Sequence, residues 1–147
     1  MNKKVILLVE DDELDVISVE RSLKKLNEEY ELKTAFNGIE ALEILSQTDR
    51  AGEALPDIIL LDLNMPKMNG LEFLKTMRID ERFKHIKVFV MTTSGEEADR
   101  KSTEELGISG YLIKPLNFNN NSKRTDSMDG FFQFHIRKIF AEADAAG

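Results

Sequence analysis

The chain has 147 residues, 41% of them hydrophobic and 32% charged, with a formal net charge of −7. That length suits one domain with one core, and the acidic balance argues against general nucleic-acid binding, which favours a basic surface. The absence of cysteine excludes disulfides, thiolate metal sites and cysteine nucleophiles, and two histidines, His85 and His135, are too few for a histidine-rich metal site.

Met1-Asn2-Lys3-Lys4 leads into an apolar run too short for a signal peptide or membrane span, so a cytoplasmic location with no membrane association is expected. Lys4–Val9 is a continuous apolar run of the kind found in strands covered on both faces. Asp12 is placed to cap a helix over about 13–27, with Val16, Val19, Leu23 and Leu26 at helical spacing. Tyr30–Phe36 reads as a second strand, broken by Asn37-Gly38, and Ile39–Ser46 as a helix with Leu42 and Leu45 inward. The polar stretch Gln47–Pro56 reads as a loop. Asp57–Leu61 is the third strand, and Leu71–Arg78 a helix carrying Leu71, Leu74 and Met77. Lys87–Met91 is the fourth strand. The helix expected over about 96–106 is poor in apolar residues, and Tyr111–Ile113 follows as the fifth strand. Asn117–Ser127 reads as an exposed loop. A last helix over about 128–143 carries Phe131, Phe132, Phe134, Ile136, Ile139 and Phe140, and those three leading phenylalanines cannot share one stripe.

Five βα units without a break predict an α/β fold, a doubly wound parallel sheet with helices on both faces. The flavodoxin-like (βα)5 strand order 2-1-3-4-5 would set strands one and three side by side, with the ligand crevice at the switch point between them. Residues 1–147 are then a single domain with a core over about 4–116 and a C-terminal helix over about 128–143.

The strand ends carry the chemistry. The first apolar run stops on Glu10-Asp11-Asp12, the third on Asp62, the fourth on Thr92-Thr93-Ser94 and the fifth on Lys114-Pro115. Carboxylates gathered at one rim repel one another and stay ionised together only beside a cation. Mg2+ suits such a site because it is hard, prefers oxygen and is often shared with phosphate. Asp11 and Asp62 are assigned as direct ligands, Glu10 as a ligand through water, and the backbone carbonyl of Asn64 as a further candidate. Asp62, on the central strand, is the candidate nucleophile for an aspartyl phosphate. Lys114 would add a second positive charge and Thr92 a hydroxyl for a phosphoryl oxygen. Neither Asn64 nor Ser94 is a good base for hydrolysis, so a long-lived phosphoryl group is expected rather than a turnover cycle. Taken singly, Lys114 reads as a solvated lysine, Thr92 as a strand end, and the two histidines as structural or surface residues.

In order and approximate spacing, Leu8-Val9-Glu10-Asp11, Leu61-Asp62-Leu63-Asn64-Met65-Pro66, Gly70, Met91-Thr92-Thr93-Ser94 and Tyr111-Leu112-Ile113-Lys114-Pro115 resemble the receiver domain of bacterial two-component response regulators. The strand order is an implication of that resemblance and not an independent derivation. The Thr-Thr-Ser run and the lack of an output domain are most similar to stand-alone regulators that partner bacterial phytochromes. The resemblance implies phosphoryl transfer from a sensor histidine kinase to Asp62, and a switch in which Thr92 moves toward the phosphoryl group, the Tyr111 ring follows, and the face of the fourth helix, fifth strand and fifth helix changes. It implies a phosphoacceptor with slow self-dephosphorylation rather than an enzyme with its own output, and a cis Lys114–Pro115 peptide. Asn69 departs from the Asp that many receivers carry there, and 117–127 is longer than the usual join. A homodimer through the phenylalanine-rich last helix and the face of the fourth helix is a further expectation.

Two other functions use related parts. A magnesium phosphatase of the haloacid-dehalogenase type would need an acid two residues after the nucleophile, where Asn64 stands. A nucleotide- or flavin-binding module would need a Gly- or Ser/Thr-rich loop after the first strand, where Glu10-Asp11-Asp12 has the opposite charge.

Overall fold

The computed structural model describes residues 4–63, 65, 68–92, 97–113 and 122–146. Strands and helices alternate: β1 (Lys4–Val9), α1 (Glu13–Lys24), β2 (Tyr30–Ala35), α2 (Gly38–Arg50), β3 (Ile58–Asp62), α3 (Gly70–Ile79), β4 (Lys87–Thr92), α4 (Glu97–Glu105), β5 (Gly110–Ile113) and α5 (Ser122–Ala146). The five strands form one sheet in the order β2-β1-β3-β4-β5. Every neighbouring pair is parallel, with Val9 opposite Leu61 and Asp62 opposite Met91. The expected flavodoxin-like order is therefore the observed one.

The pleat divides the core in two, because successive residues of a strand face opposite sides. Leu7, Val9, Ile59, Leu61, Val88 and Val90 pack with α2 and α3 through Leu45, Phe73, Leu74 and Met77. Ile6, Leu8, Ile58, Leu60, Phe89 and Met91 pack with α1 and α5 through Val19, Leu23, Phe132, Ile136 and Phe140. Burial on both faces accounts for the unbroken apolar runs of β1 and β3.

Local chemistry sets the helix ends. The Asp12 carboxylate caps α1, accepting from the backbone N–H of Leu14 (2.8 Å) and Asp15 (3.3 Å). The helix stops at Lys24, short of the expected 27, and Asn27 takes φ 55°, a left-handed conformation that Asn tolerates. α2 runs to Arg50, four residues beyond the expected end; Thr48 there is buried and its hydroxyl donates to the Ile44 carbonyl at 2.7 Å. The polar composition of 47–50 was a poor guide because Gln47, Asp49 and Arg50 lie on the exposed face of the helix while Thr48 satisfies its hydroxyl within it. Asn69 caps α3 in a capping box, accepting from Glu72 N–H at 2.9 Å while Glu72 Oε1 accepts from Asn69 N–H at 3.4 Å. Asn serves that purpose as well as Asp does. α5 begins at Ser122, so the loop expected over 117–127 is corrected: 122–127 is helical, and 117–121 lies outside the described residues. Those six residues are polar and carry no apolar period to read, although helical hydrogen bonding needs none.

Two arginines tie elements together. The Arg78 guanidinium, on α3, donates to the carbonyls of Leu106 (2.8 Å), Lys84 (2.9 Å), Ile86 (2.9 Å) and Gly107 (3.1 Å). It thereby joins the α3–β4 connection to the carboxyl end of α4, and partial burial pulls its pKa below the ordinary value. Arg137 of α5 donates to the Leu26 carbonyl at the end of α1. On α5, Phe132 and Phe140 are buried while Phe134 is 65% exposed, which resolves the stripe that three phenylalanines could not share.

Candidate acidic metal and phosphoacceptor site

Glu10 follows β1 and Asp62 ends β3, the two strands at the switch point. Glu10 is held there by its backbone N–H, which donates to the Ala35 carbonyl at 2.9 Å, and its Oε2 accepts from Asp12 N–H at 3.2 Å. Asp62 sits one register step beyond Leu61, and the ladder continues past it because Leu63 N–H donates to Met91 O at 3.3 Å. Oxygens of Glu10, Asp11 and Asp62 all lie within 4.8 Å of one another. Glu10 and Asp62 are buried and Asp11 is exposed, so the cluster opens to solvent on one side. Asp12 is turned to the cap of α1, as the sequence implied.

The donor set fits a divalent cation. It is all carboxylate oxygen, the hard chemistry that Mg2+ and Mn2+ take. Two ligands on opposite sides of a Mg2+ ion are about 4.2 Å apart, twice a Mg–O distance of about 2.1 Å. Oxygens spread over as much as 4.8 Å would draw in slightly, or one acid would act through water. Among the described residues no other group of three or more His, Asp or Glu side chains is close enough to share an ion.

Thr92 ends β4 and is fully buried. It lies one residue past Met91, the register partner of Asp62, which puts it at the same rim. Thr92 has the strand parity of Val88 and Val90, and Tyr111 is the register partner of Val90. Thr92 and Tyr111 therefore belong to the same side of the sheet on adjacent strands. Tyr111 packs against the α2/α3-side core, and the Arg100 guanidinium lies 5.5 Å from its ring centroid. Asn64, Ser94, Lys114 and Pro115 lie outside the described residues. Of the expected site, the structure thus brings together Glu10, Asp11 and Asp62, with Thr92 at the same rim of the sheet. His85 is exposed near the opposite end of the sheet, ahead of β4, and His135 packs among aromatic rings, 4.4 Å from that of Phe131. Neither joins the acids.

The sequence matches the response regulator receiver domain over residues 6–125. The chain belongs to the response regulator receiver family. This receiver is 36% identical over 130 residues to the response regulator Rcp1 of Synechocystis, covering 88% of each chain. It is also 36% identical over 121 residues to a probable methanogenesis regulatory protein, FilR2, of Methanothrix harundinacea, covering 82% of this chain and 77% of the other. Among solved structures it superposes on the phosphorylated cyanobacterial phytochrome response regulator RcpA with a TM-score of 0.79 at 33% identity, covering 92% of this receiver and 95% of RcpA. The Mn2+-bound form of Rcp1 gives a TM-score of 0.77 at 34% identity, with 89% and 93% covered. Among the described residues of the receiver, no helix is long and apolar enough to cross a membrane.

Sequence reasoning found the acids and the threonine, since each ends an apolar run. It missed the close approach of Gly38 to Met68, where the Gly38 N–H donates to the Met68 carbonyl at 3.1 Å, because no residue pattern marks either position.

Proposed function

We propose that the protein is a phosphoacceptor of a two-component system, taking a phosphoryl group from a sensor histidine kinase onto Asp62. The observation that carries this is the cluster itself: three carboxylates from adjacent strands within 4.8 Å, with Asp62 its buried member on the central strand. An Asp62 carboxylate oxygen attacks phosphorus, the P–N bond of the donor phosphohistidine breaks, and its electron pair returns to the imidazole nitrogen. When bound, Mg2+ neutralises charge on the carboxylates and the phosphoryl oxygens, which is most of what this chemistry requires. Asp11 and Asp62 would hold it directly, Glu10 through water, with the Asn64 carbonyl as a further ligand. Thr92 donates its hydroxyl to a phosphoryl oxygen, and Lys114 places its ammonium on the opposite side.

The same reading assigns the output. Thr92 and Tyr111 share one side of the sheet, so a Thr92 drawn to the phosphoryl group leaves room on the side where the Tyr111 ring packs. The face of α4, β5 and α5 changes with it, a two-state element biased by added charge. Residues 1–147 act as a single cytoplasmic receiver domain that binds neither nucleic acid nor membrane and carries no enzymatic output. The likeness to RcpA and Rcp1 supports a phytochrome-type kinase as donor. Exposed Phe134 on α5 supports a homodimer through that face. The test is labelling by acetyl phosphate with Mg2+, followed by intact-protein mass. The unaltered chain gains one phosphoryl group and Asp62→Asn gains none; equal labelling of the variant refutes Asp62 as acceptor.

A further inference from the structure

Outside the acids, the most tightly constrained place near the site is where α2 meets the segment leading from β3 into α3. Gly38, the first residue of α2, donates its backbone N–H to the Met68 carbonyl at 3.1 Å. A Cβ on Gly38 would lie 2.7 Å from Met68 Cγ, 2.9 Å from Met68 O and 3.0 Å from Met68 Cβ. Two residues later the packing is tighter. A Cβ on Gly70 would lie 2.3 Å from the Asp62 carbonyl oxygen and 2.7 Å from Leu63 Cα, and Gly70 N–H donates to Leu63 O at 3.1 Å. Contacts thus run from α2 through Met68 and Gly70 to the main chain of the phosphoacceptor residue.

Conformation does not account for glycine at 38. Among the described residues positive φ occurs at Asn27, Gly52 and Gly107, and not at Gly38. Capping is done by the neighbour, since Asn37 Oδ1 accepts from Glu40 N–H at 2.9 Å. Helix propensity favours Ala over Gly within a helix, so on local grounds position 38 should accept Ala with a gain. Only the approach to Met68 forbids it.

We propose that Gly38 is a positioning residue for the chemistry at Asp62, setting through Met68 and Gly70 the height at which the chain leaving β3 passes the acidic crevice. This rests on Asp62 being the phosphoacceptor. A Cβ at 38 forces the Met68 carbonyl to retreat by about 0.5 Å to reach ordinary contact at 3.4 Å. Because that atom is main chain, the shift passes toward Gly70 and the backbone of Asp62. Displacements of about 1 Å remote from a reacting centre can cost about a hundredfold, so a shift half as large is expected to cost about tenfold.

The experiment compares the unaltered chain, Gly38→Ala, Met68→Ala and the double variant. Three quantities are measured on each: the Mg2+ dissociation constant by calorimetry, the rate of labelling by acetyl phosphate, and the urea midpoint by circular dichroism. Gly38→Ala is expected to keep its helical signal and stay folded in the absence of urea, with a lowered urea midpoint, while labelling about tenfold more slowly and binding Mg2+ more weakly. Met68→Ala alone should stay close to the unaltered chain. Adding it to Gly38→Ala removes Met68 Cγ but leaves the carbonyl at 2.9 Å, so the double variant should label about as slowly as Gly38→Ala. Labelling and Mg2+ affinity unchanged in Gly38→Ala overturn the proposal. So does a loss of labelling that merely follows a loss of folded protein, or a double variant restored to the unaltered rate, which would place the clash in the Met68 side chain and not in the main chain. If the unaltered chain itself does not label, the Asp62 assignment fails, a result distinct from any of these.

Discussion

Arg78→Ala should be among the costliest surface-accessible substitutions in this protein. The guanidinium serves four main-chain carbonyls, at Leu106, Lys84, Ile86 and Gly107, between 2.8 and 3.1 Å. The bonds to Leu106, Lys84 and Ile86 are partly buried, and the one to Gly107 is exposed. With each partly buried bond contributing about 1 kcal/mol net, and the exposed one little, truncation should cost about 3 kcal/mol. In urea that lowers the midpoint by about 1.5–2 M for an m-value typical of a domain this size. Lys at 78 offers a point charge and no fork, so Arg78→Lys should recover at most about a third of the loss. Arg82 is the control on the same chain. It pairs with Asp80 at 2.8 Å and Asp49 at 3.8 Å, but its side chain is 45% exposed, and Arg82→Ala should leave the midpoint within experimental scatter. Hydrogen exchange adds a local readout, since loss of Arg78 should speed exchange at the carboxyl end of α4 before other helices. A cost below about 1 kcal/mol for Arg78→Ala, or equal costs at 78 and 82, would refute the claim that carbonyl capture, and not charge pairing, secures this corner.

Two further outcomes follow. Burial and the neighbouring Glu20 carboxylate raise the Tyr30 phenol above its ordinary value of 10.0. The folded chain therefore holds this proton where the unfolded chain releases it, and stability should fall as pH rises beyond 10.0 toward the folded value. Tyr30→Phe should flatten that part of the decline in urea midpoints, and an unchanged alkaline slope would count against it. In chelator, with no divalent ion, Asp62→Asn should stabilise the fold by roughly 1–3 kcal/mol by relieving repulsion among the three acids. Added Mg2+ should narrow the gap by stabilising the unaltered chain, and a destabilised variant in chelator would contradict the reading of a repulsive cluster.

How much was legible beforehand depended on the kind of signal. β1 was readable to the residue because burial on both faces makes an apolar run without interruption, and the acid after it marks the rim. Asp62 was readable for the same reason, although it proved to be the last residue of β3 and not the first beyond it. α2 was cut short in the reading because Gln47-Thr48-Asp49-Arg50 looks like a loop when hydropathy is the only guide, whereas buried Thr48 satisfies itself against Ile44. The start of α5 was missed because Ser122–Ser127 carries no apolar period. Phe73 went unnoticed beside Leu71, Leu74 and Met77, yet it is fully buried. Gly38 looked like a breaker because an Asn-Gly pair usually is one. Its true constraint is a neighbour thirty residues away in sequence, and no local pattern encodes that. The corner held by Arg78 was invisible on the same grounds: one side chain serves two loops that only the fold brings together.

The alternation of the sheet has an implication for how such a molecule can relay information. Glu10 and Asp62 carry the parity of the layer built on α1 and α5, while Thr92 and Tyr111 carry that of the layer built on α2 and α3. In the proposed switch, a change at the acids on one side would have to reach the tyrosine on the other, and the sheet between them is packed too densely to be crossed by side chains. The route left is around its open lip, where β3 and β4 finish within a residue of each other. A message confined to that lip engages very few groups, so the few residues that finish β3 and β4 would carry it.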